Sequence, residues 1–149
     1  MVEKKVFERV EHQIEGDFAR ADLEIYGINH FRPSFTVRVF FNDPEVTEED
    51  CREDRPSFAG RFSVFGHAEC AGDDDHCHAP TAYRRFDDRP THPLTRAFRR
   101  VVVTDALKAA LAGAEDETVT ITLVAGTAGD DEVEGSLMDF EGMSLTTFR

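Results

Sequence analysis

The chain has 149 residues, enough for one domain with a sizeable core, and its 13 phenylalanines without a tryptophan indicate a phenylalanine-rich interior. A formal net charge of −13 argues against anionic partners, so we expect binding neither to nucleic acid nor to a membrane surface. No apolar run approaches the roughly 18 residues of a membrane span, and the charged first residues do not resemble a signal peptide. The sequence therefore predicts a cytoplasmic location.

The first predicted element is an amphipathic helix over residues 3–18. Val6, Val10 and Ile14 recur at helical spacing, glutamates and lysines occupy the opposite face, and Gly16 ends the pattern. We expect residues 1–18 to form a helical arm that packs on the domain of residues 19–149 or on a partner.

Beyond this arm, apolar residues alternate with polar ones in several short segments, a pattern typical of half-buried strands. An acidic loop over residues 45–57 interrupts them, and we interpret its Cys51 as incidental. The predicted strands lie within residues 21–28, 35–41, 58–64, 98–103 and 119–123, with a strand pair or one bent strand over residues 137–148.

One small helix is predicted near residues 105–112, where Thr104-Asp105 forms the cap and Gly113 ends the helix. Short strands with turn residues between them predict a mainly all-β fold. The expected architecture is an antiparallel, jelly-roll-like β-sandwich with this small helix and a short N-terminal helix.

A loop rich in cysteine and histidine follows the strand at residues 58–64, beside three consecutive aspartates at 73–75. Thiolate and imidazole ligands suit Zn²⁺ or Cu⁺, and the aspartates favour a cation. Four protein ligands would make a structural site, whereas three ligands plus water would make a candidate reaction centre. The candidate metal ligands are His67, Cys70, His76, Cys77 and His78.

Two other interpretations of this loop remain open at the level of sequence. A disulfide between Cys70 and Cys77 would close a short loop and stabilise the fold by about 2–3 kcal/mol in the chain-entropy model. Alternatively, both cysteines are free thiols.

Several segments, in this order, resemble the C-terminal β-sandwich of the tyrosinase and polyphenol oxidase family, and together they span residues 20–148. They are DLEI at 22–25, GI at 27–28 with His30, PSFTVRVFFNDP at 33–44, AGRFSVFGH at 59–67, the segment from Cys70 to Cys77, and HPLT at 92–95.

The resemblance implies a β-sandwich that caps or supports a copper-binding helical bundle. In that family, two coppers are each held by three histidines, mostly on paired helices. This chain has six histidines, but only His12 lies on a predicted helix, and no two are spaced four residues apart on a helix. We therefore do not expect dicopper oxidase activity.

These observations favour a non-catalytic accessory protein that acts as a subunit, cap or copper-handling partner of a separate copper oxidase chain. The alternative is a stand-alone Zn- or Cu-binding protein that uses the loop of His67, Cys70, Cys77 and His78 and is catalytic if one metal position is open. A third interpretation is a structural module that associates with itself.

Overall fold

Two antiparallel sheets and one helix make up the described part of the computed structural model, namely residues 1–10, 17–67, 95–112, 118–129 and 133–149. The sheets have the strand orders β1-β6-β3-β4 and β5-β2-β7. The predicted antiparallel β-sandwich with its small helix is confirmed. The elements are β1 (Val2–Val10), β2 (Arg20–Ile28), β3 (Phe35–Phe41), β4 (Phe58–Val64), β5 (Ala97–Val102), α1 (Thr104–Ala112), β6 (Val119–Thr127) and β7 (Gly142–Phe148).

The main apolar core lies between the two sheets. Alternate residues of β3 and β6, such as Val39 and Ile121, meet Leu23 and Ile25 of β2, and all four side chains are fully buried. This arrangement follows from the two-residue period of the strands, which sends every second side chain to the same face. Within the described ranges, no helix is long and apolar enough to cross a membrane.

Residues 2–10 form strand β1, so the predicted N-terminal helix is wrong over this range. β1 pairs antiparallel with β6 at the edge of the larger sheet. Its half-buried residues include Glu3, Lys5 and Phe7, whereas Val2 and Val6 are exposed. The helical spacing of the valines was misleading because pairing with β6 overrides local propensity. Residues 11–16 of the predicted helix lie outside the described residues.

The inward face of β1 holds the segment that leads into β7. The Glu3 carboxylate accepts hydrogen bonds from the Ser136 hydroxyl at 2.7 Å and from the Met138 backbone N–H at 3.0 Å. Burial alone would raise the pKa of Glu3, but these hydrogen bonds and the Lys5 ammonium hold that pKa below its ordinary value. Lys5 also donates a hydrogen bond to the Met138 carbonyl.

A second, smaller apolar cluster lies on the outer face of the larger sheet. Phe40, Val46 and Val124 are buried there, and Cys51 and Phe58 pack against them. Because Val46 and Cys51 belong to the predicted acidic loop, that loop folds back over the sheet instead of standing free in solvent. Cys51 is a free thiol that donates a hydrogen bond to the Glu48 carbonyl at 3.0 Å.

Asp43 anchors this loop. Its Oδ2 accepts hydrogen bonds from the Ser57 hydroxyl at 2.6 Å and from Arg55 Nη2 at 2.7 Å. Burial opposes ionisation, but these donors and the charge of Arg55 hold the pKa of Asp43 below its ordinary value. The ionised carboxylate therefore stabilises the folded state.

We predict that Glu3→Ala lowers the free energy of unfolding at pH 7 by about 1–3 kcal/mol, because the Met138 N–H loses its acceptor. Glu8→Ala is the matched control on the same strand, since Glu8 is exposed; its effect should stay within about 0.5 kcal/mol. Urea unfolding curves would measure both, and equal effects would contradict the inward orientation of Glu3.

We predict that Asp43→Ala costs about 2 kcal/mol of stability at pH 7, because the substitution leaves Arg55 and Ser57 without their shared acceptor. As the pH falls below the unfolded pKa of about 3.9 and through the lower folded pKa, wild-type Asp43 becomes protonated and the difference should shrink.

Asp54→Ala is the control for this loop, since the Asp54 side chain is 76% exposed and its carboxylate lies 3.5 Å from Arg52 Nε. An exposed pair of this kind contributes about 0–1 kcal/mol. Urea unfolding at several pH values would measure both variants. If the difference in unfolding free energy between wild type and Asp43→Ala stayed equally large in acid, the proposed role of the ionised carboxylate would be contradicted.

Candidate functional site

His67 lies at one end of the sandwich, just beyond the last residue of β4, where it meets the connection between β2 and β3 at residues 29–34. The backbone N–H of His67 donates a hydrogen bond to the His30 carbonyl at 2.7 Å. This bond joins the two loops although their residues are far apart in sequence. We call His30 and His67 the histidine pair.

Gly66 fits the end of β4 closely against the main chain of that connection. A Cβ atom on Gly66 would lie 1.9 Å from the Arg32 carbonyl oxygen and 2.5 Å from the Ser34 backbone nitrogen. The Gly66 N–H also donates a hydrogen bond to the Ser34 hydroxyl at 2.9 Å. Only glycine permits this approach, because any side chain would overlap backbone atoms.

Four rings follow one another across this end of the molecule. The ring centroids lie 5.7 Å apart for Phe31 and His30, 5.2 Å for His30 and His67, and 5.2 Å for His67 and Phe65. Each contact is edge-to-face, which aromatic rings prefer over face-to-face stacking. Phe65 is 71% exposed and Phe31 44%, whereas the histidines are half-buried between them.

His30 has an unsatisfied nitrogen. Its Nε2 is buried and has no hydrogen-bond partner among the described residues. A buried polar atom without a partner costs free energy, so such an atom requires an explanation.

The other side of the β2–β3 connection carries a charged cluster. Asp139 accepts a hydrogen bond from the Asn29 amide at 2.9 Å and lies 3.6 Å from Arg96 and 4.0 Å from Arg32. The hydrogen bond from Asn29 lowers the pKa of Asp139, and the charges of Arg96 and Arg32 lower it further. Burial raises this pKa, but the net result is a pKa below the ordinary value. This carboxylate therefore anchors the connection to the segment before β7.

Of the predicted metal ligands, only His67 lies in the described part of the chain. Within that part, no group of three or more histidine, cysteine, aspartate or glutamate side chains could hold a metal ion. The remaining predicted ligands, and with them both cysteines of the alternative disulfide, lie outside the described residues: Cys70, His76, Cys77 and His78.

Sequence reasoning missed His30 as a site residue. It follows Asn29 between the strands predicted at residues 21–28 and 35–41, and in the sequence it stands out only as part of the segments that resemble the tyrosinase family. Its position beside a Cys/His-rich loop depends on which strands become neighbours, and no local pattern reports that. The signal that the sequence offered was the residue type, because His30, like His67, is a histidine shortly after a predicted strand.

We predict that Gly66→Ala lowers the free energy of unfolding by about 1–3 kcal/mol, because its Cβ would force the two loops apart. Gly126→Ala is the matched control, since a Cβ there would meet only Val2 Cγ2, at an ordinary 3.8 Å. We expect that control to be neutral or slightly stabilising. Urea unfolding curves would measure both variants, and equal effects would show that the loops are not in close contact.

The fold matches part of a polyphenol oxidase. Recombinantly expressed latent aurone synthase (polyphenol oxidase) superposes with a TM-score of 0.50 at 19% sequence identity over 99% of this chain. The same enzyme from its natural source gives a TM-score of 0.51, also at 19% identity over 99% of this chain. The present chain spans only 24% of each matched chain. Neither a protein-family model nor a curated protein sequence matches it. At this level of identity, the likeness establishes a shared β-sandwich fold.

Proposed function

We propose that this chain is a non-catalytic accessory β-sandwich, a detached counterpart of a tyrosinase C-terminal domain, which acts as a subunit, cap or copper-handling partner of a copper oxidase chain. The observation that carries the proposal is the extent of the structural match. Nearly the whole of this chain, 99%, corresponds to a 24% part of a polyphenol oxidase. The sequence segments that resemble the tyrosinase family, and the order in which they occur along the chain, support the same assignment.

The distribution of histidines supports a role without dicopper chemistry. His30 and His67, the two histidines in the described part of the chain, both lie in loops. In the same part of the chain, α1 is the only helix, and it contains no histidine. The paired histidine-bearing helices that the tyrosinase resemblance implies are not found among the described residues, and we propose that a separate oxidase chain provides them.

Phe65 is suited to contact a copper oxidase chain. At 71%, it is the most exposed large apolar side chain among the described residues. It lies directly before Gly66, whose close fit against residues 32–34 holds its backbone in place. An aromatic side chain on a fixed backbone loses little conformational entropy when it binds, and such residues commonly dominate the energy of interfaces.

Phenol oxidation tests the proposal in two parts. The purified chain with added Cu²⁺ should oxidise a diphenol no faster than Cu²⁺ alone. Added to a tyrosinase catalytic chain that lacks its own C-terminal domain, it should change the oxidation rate in a saturable way as it binds. Oxidation by the chain alone, or an unchanged tyrosinase rate at all concentrations, would contradict the proposal.

We predict that Phe65→Asp raises the concentration of this chain that gives half of the maximal effect on the tyrosinase rate by roughly tenfold or more. The substitution places a charge in an apolar contact. Phe98→Asp is the control, since Phe98 is a 45% exposed phenylalanine on β5. The control should act like wild type once its folding has been verified by thermal unfolding. Equal behaviour of the two variants would exclude Phe65 as the contact.

A further inference from the structure

We propose that two copies of this chain pair through strand β7 (Gly142–Phe148), antiparallel and about a two-fold axis at Leu145. The two three-stranded sheets would then join into one continuous sheet of six strands. β7 lies at the edge of its sheet, and among the described strands it is paired only with β2. Its outer row of backbone N–H and C=O groups is therefore the surface that a second strand would use. This pairing goes beyond the accessory role and needs no oxidase chain.

The other three edge strands of the described sheets carry features that discourage such pairing. Charged side chains and register irregularities both protect a sheet edge from a further strand. β1, β4 and β5 each contain charged residues, and the pairing of each with its neighbour includes a register shift. β7 contains neither a charged residue nor a proline, and it pairs with β2 over all seven positions without a shift. Its edge is therefore regular and unprotected.

The smaller sheet also avoids the repulsion expected between two acidic copies. The chain has a formal net charge of −13, so contact between copies is favoured where the charge is locally balanced. The three strands of this sheet carry three basic and two acidic residues, namely Arg20, Arg99, Arg100, Asp22 and Glu24. Arg20 and Arg100 lie 2.7 Å and 3.6 Å from the buried Asp22 carboxylate. A second copy that approaches along this sheet therefore meets a surface close to neutral.

One register lets all seven residues of β7 pair in both copies. It places Leu145 opposite its own counterpart and Gly142 opposite Phe148 of the other copy. Side chains alternate between the faces of a strand, so Phe148 lies on the outer face, away from the core that holds Leu145. Phe148 is 44% exposed, and an aromatic ring that covers a cross-strand glycine stabilises strand pairs. Because a Cβ on Gly142 would lie 3.5 Å from the Tyr26 ring, Phe148 would also reach Tyr26 of the other copy.

The residues that flank β7 have opposite charges. Glu141 directly precedes the strand and Arg149 directly follows it. In the antiparallel register, Glu141 of each copy comes opposite Arg149 of the other, whereas a parallel pairing in register would place like charges together. The Glu141 side chain is 67% exposed and lies 3.4 Å from Arg96 of its own copy. Such exposed pairs add little affinity, but they favour one orientation of the two strands over the other.

Sedimentation equilibrium of the full chain, with no oxidase present, tests the pairing. The contact is small because each copy contributes one strand, so we expect a monomer–dimer equilibrium with a dissociation constant of about 1–100 μM. The dimer would have twice the 16.8 kDa mass of the chain. A two-fold contact uses the β7 edge of both copies, so no larger species should form. A chain that stays monomeric up to about 1 mM, or that forms open-ended oligomers, would overturn the proposal.

Two lysine substitutions locate the contact. Thr146→Lys places a charge on the outer face of β7, close to its counterpart in the other copy, and should raise the dissociation constant roughly tenfold or more. Val102→Lys is the matched control, because Thr146 and Val102 flank the same residue, Asp22, from opposite edges of the sheet. The control should dimerise like wild type. Equal dissociation constants for the two variants would show that the contact lies elsewhere.

Hydrogen exchange of the wild type locates the contact without any substitution. Amides of β7 that point away from β2 should exchange more slowly as the protein concentration rises, whereas amides of β1, β4 and β5 should keep their rates. Added protection at one of those strands instead would overturn the proposal. The same holds if β7 gains protection only when an oxidase chain is added, because the edge would then bind that chain.

The dimer and the accessory role can fail independently. Phe65 lies beyond the end of β4, in the larger sheet, and takes no part in the β7 contact. Phe65→Asp should therefore dimerise like wild type, whatever its effect on a tyrosinase. A monomeric chain that still changes the tyrosinase rate would overturn the dimer alone.

Discussion

The close approach of Gly66 to the main chain of residues 32–34 is the constraint on which the functional end of the sandwich depends. It lets the end of β4, in one sheet, meet the connection that arrives from β2, in the other. The hydrogen bond between the His67 N–H and the His30 carbonyl becomes possible only at this distance. The positions of the histidine pair and of Phe65 follow from that contact, so the proposed partner surface depends on it.

Much of the sandwich could be predicted from sequence, because β2 to β6 are short strands in which one face is buried and the alternation is visible. The strand β3, with its inward Val37 and Val39, is the clearest case. β1 could not be predicted, because its inward residues include Glu3 and Lys5 while Val2 and Val6 face solvent. The inward charges are tolerated because hydrogen bonds to the segment before β7 compensate their burial, and those partners become neighbours only when the chain is folded.

The candidate site was only half predictable for a similar reason. His67 stands out in the sequence because it opens a loop rich in cysteine and histidine. His30 lies in the connection between β2 and β3, and its contact with His67 depends on the order of strands in two sheets. The exposure of Phe65 also escapes sequence reasoning, since it continues an apolar strand and differs from the buried Val64 only by its place beyond the strand end.

Backbone hydrogen exchange, followed by NMR on the protein without metal or partner, tests most directly whether this end of the sandwich is one fixed unit. We expect the His67 amide to exchange about as slowly as amides within β3, because it donates to the His30 carbonyl at 2.7 Å. Exchange at the rate of an unprotected loop amide would show that the two loops separate freely. Phe65 would then lack the fixed backbone that the proposed partner surface requires.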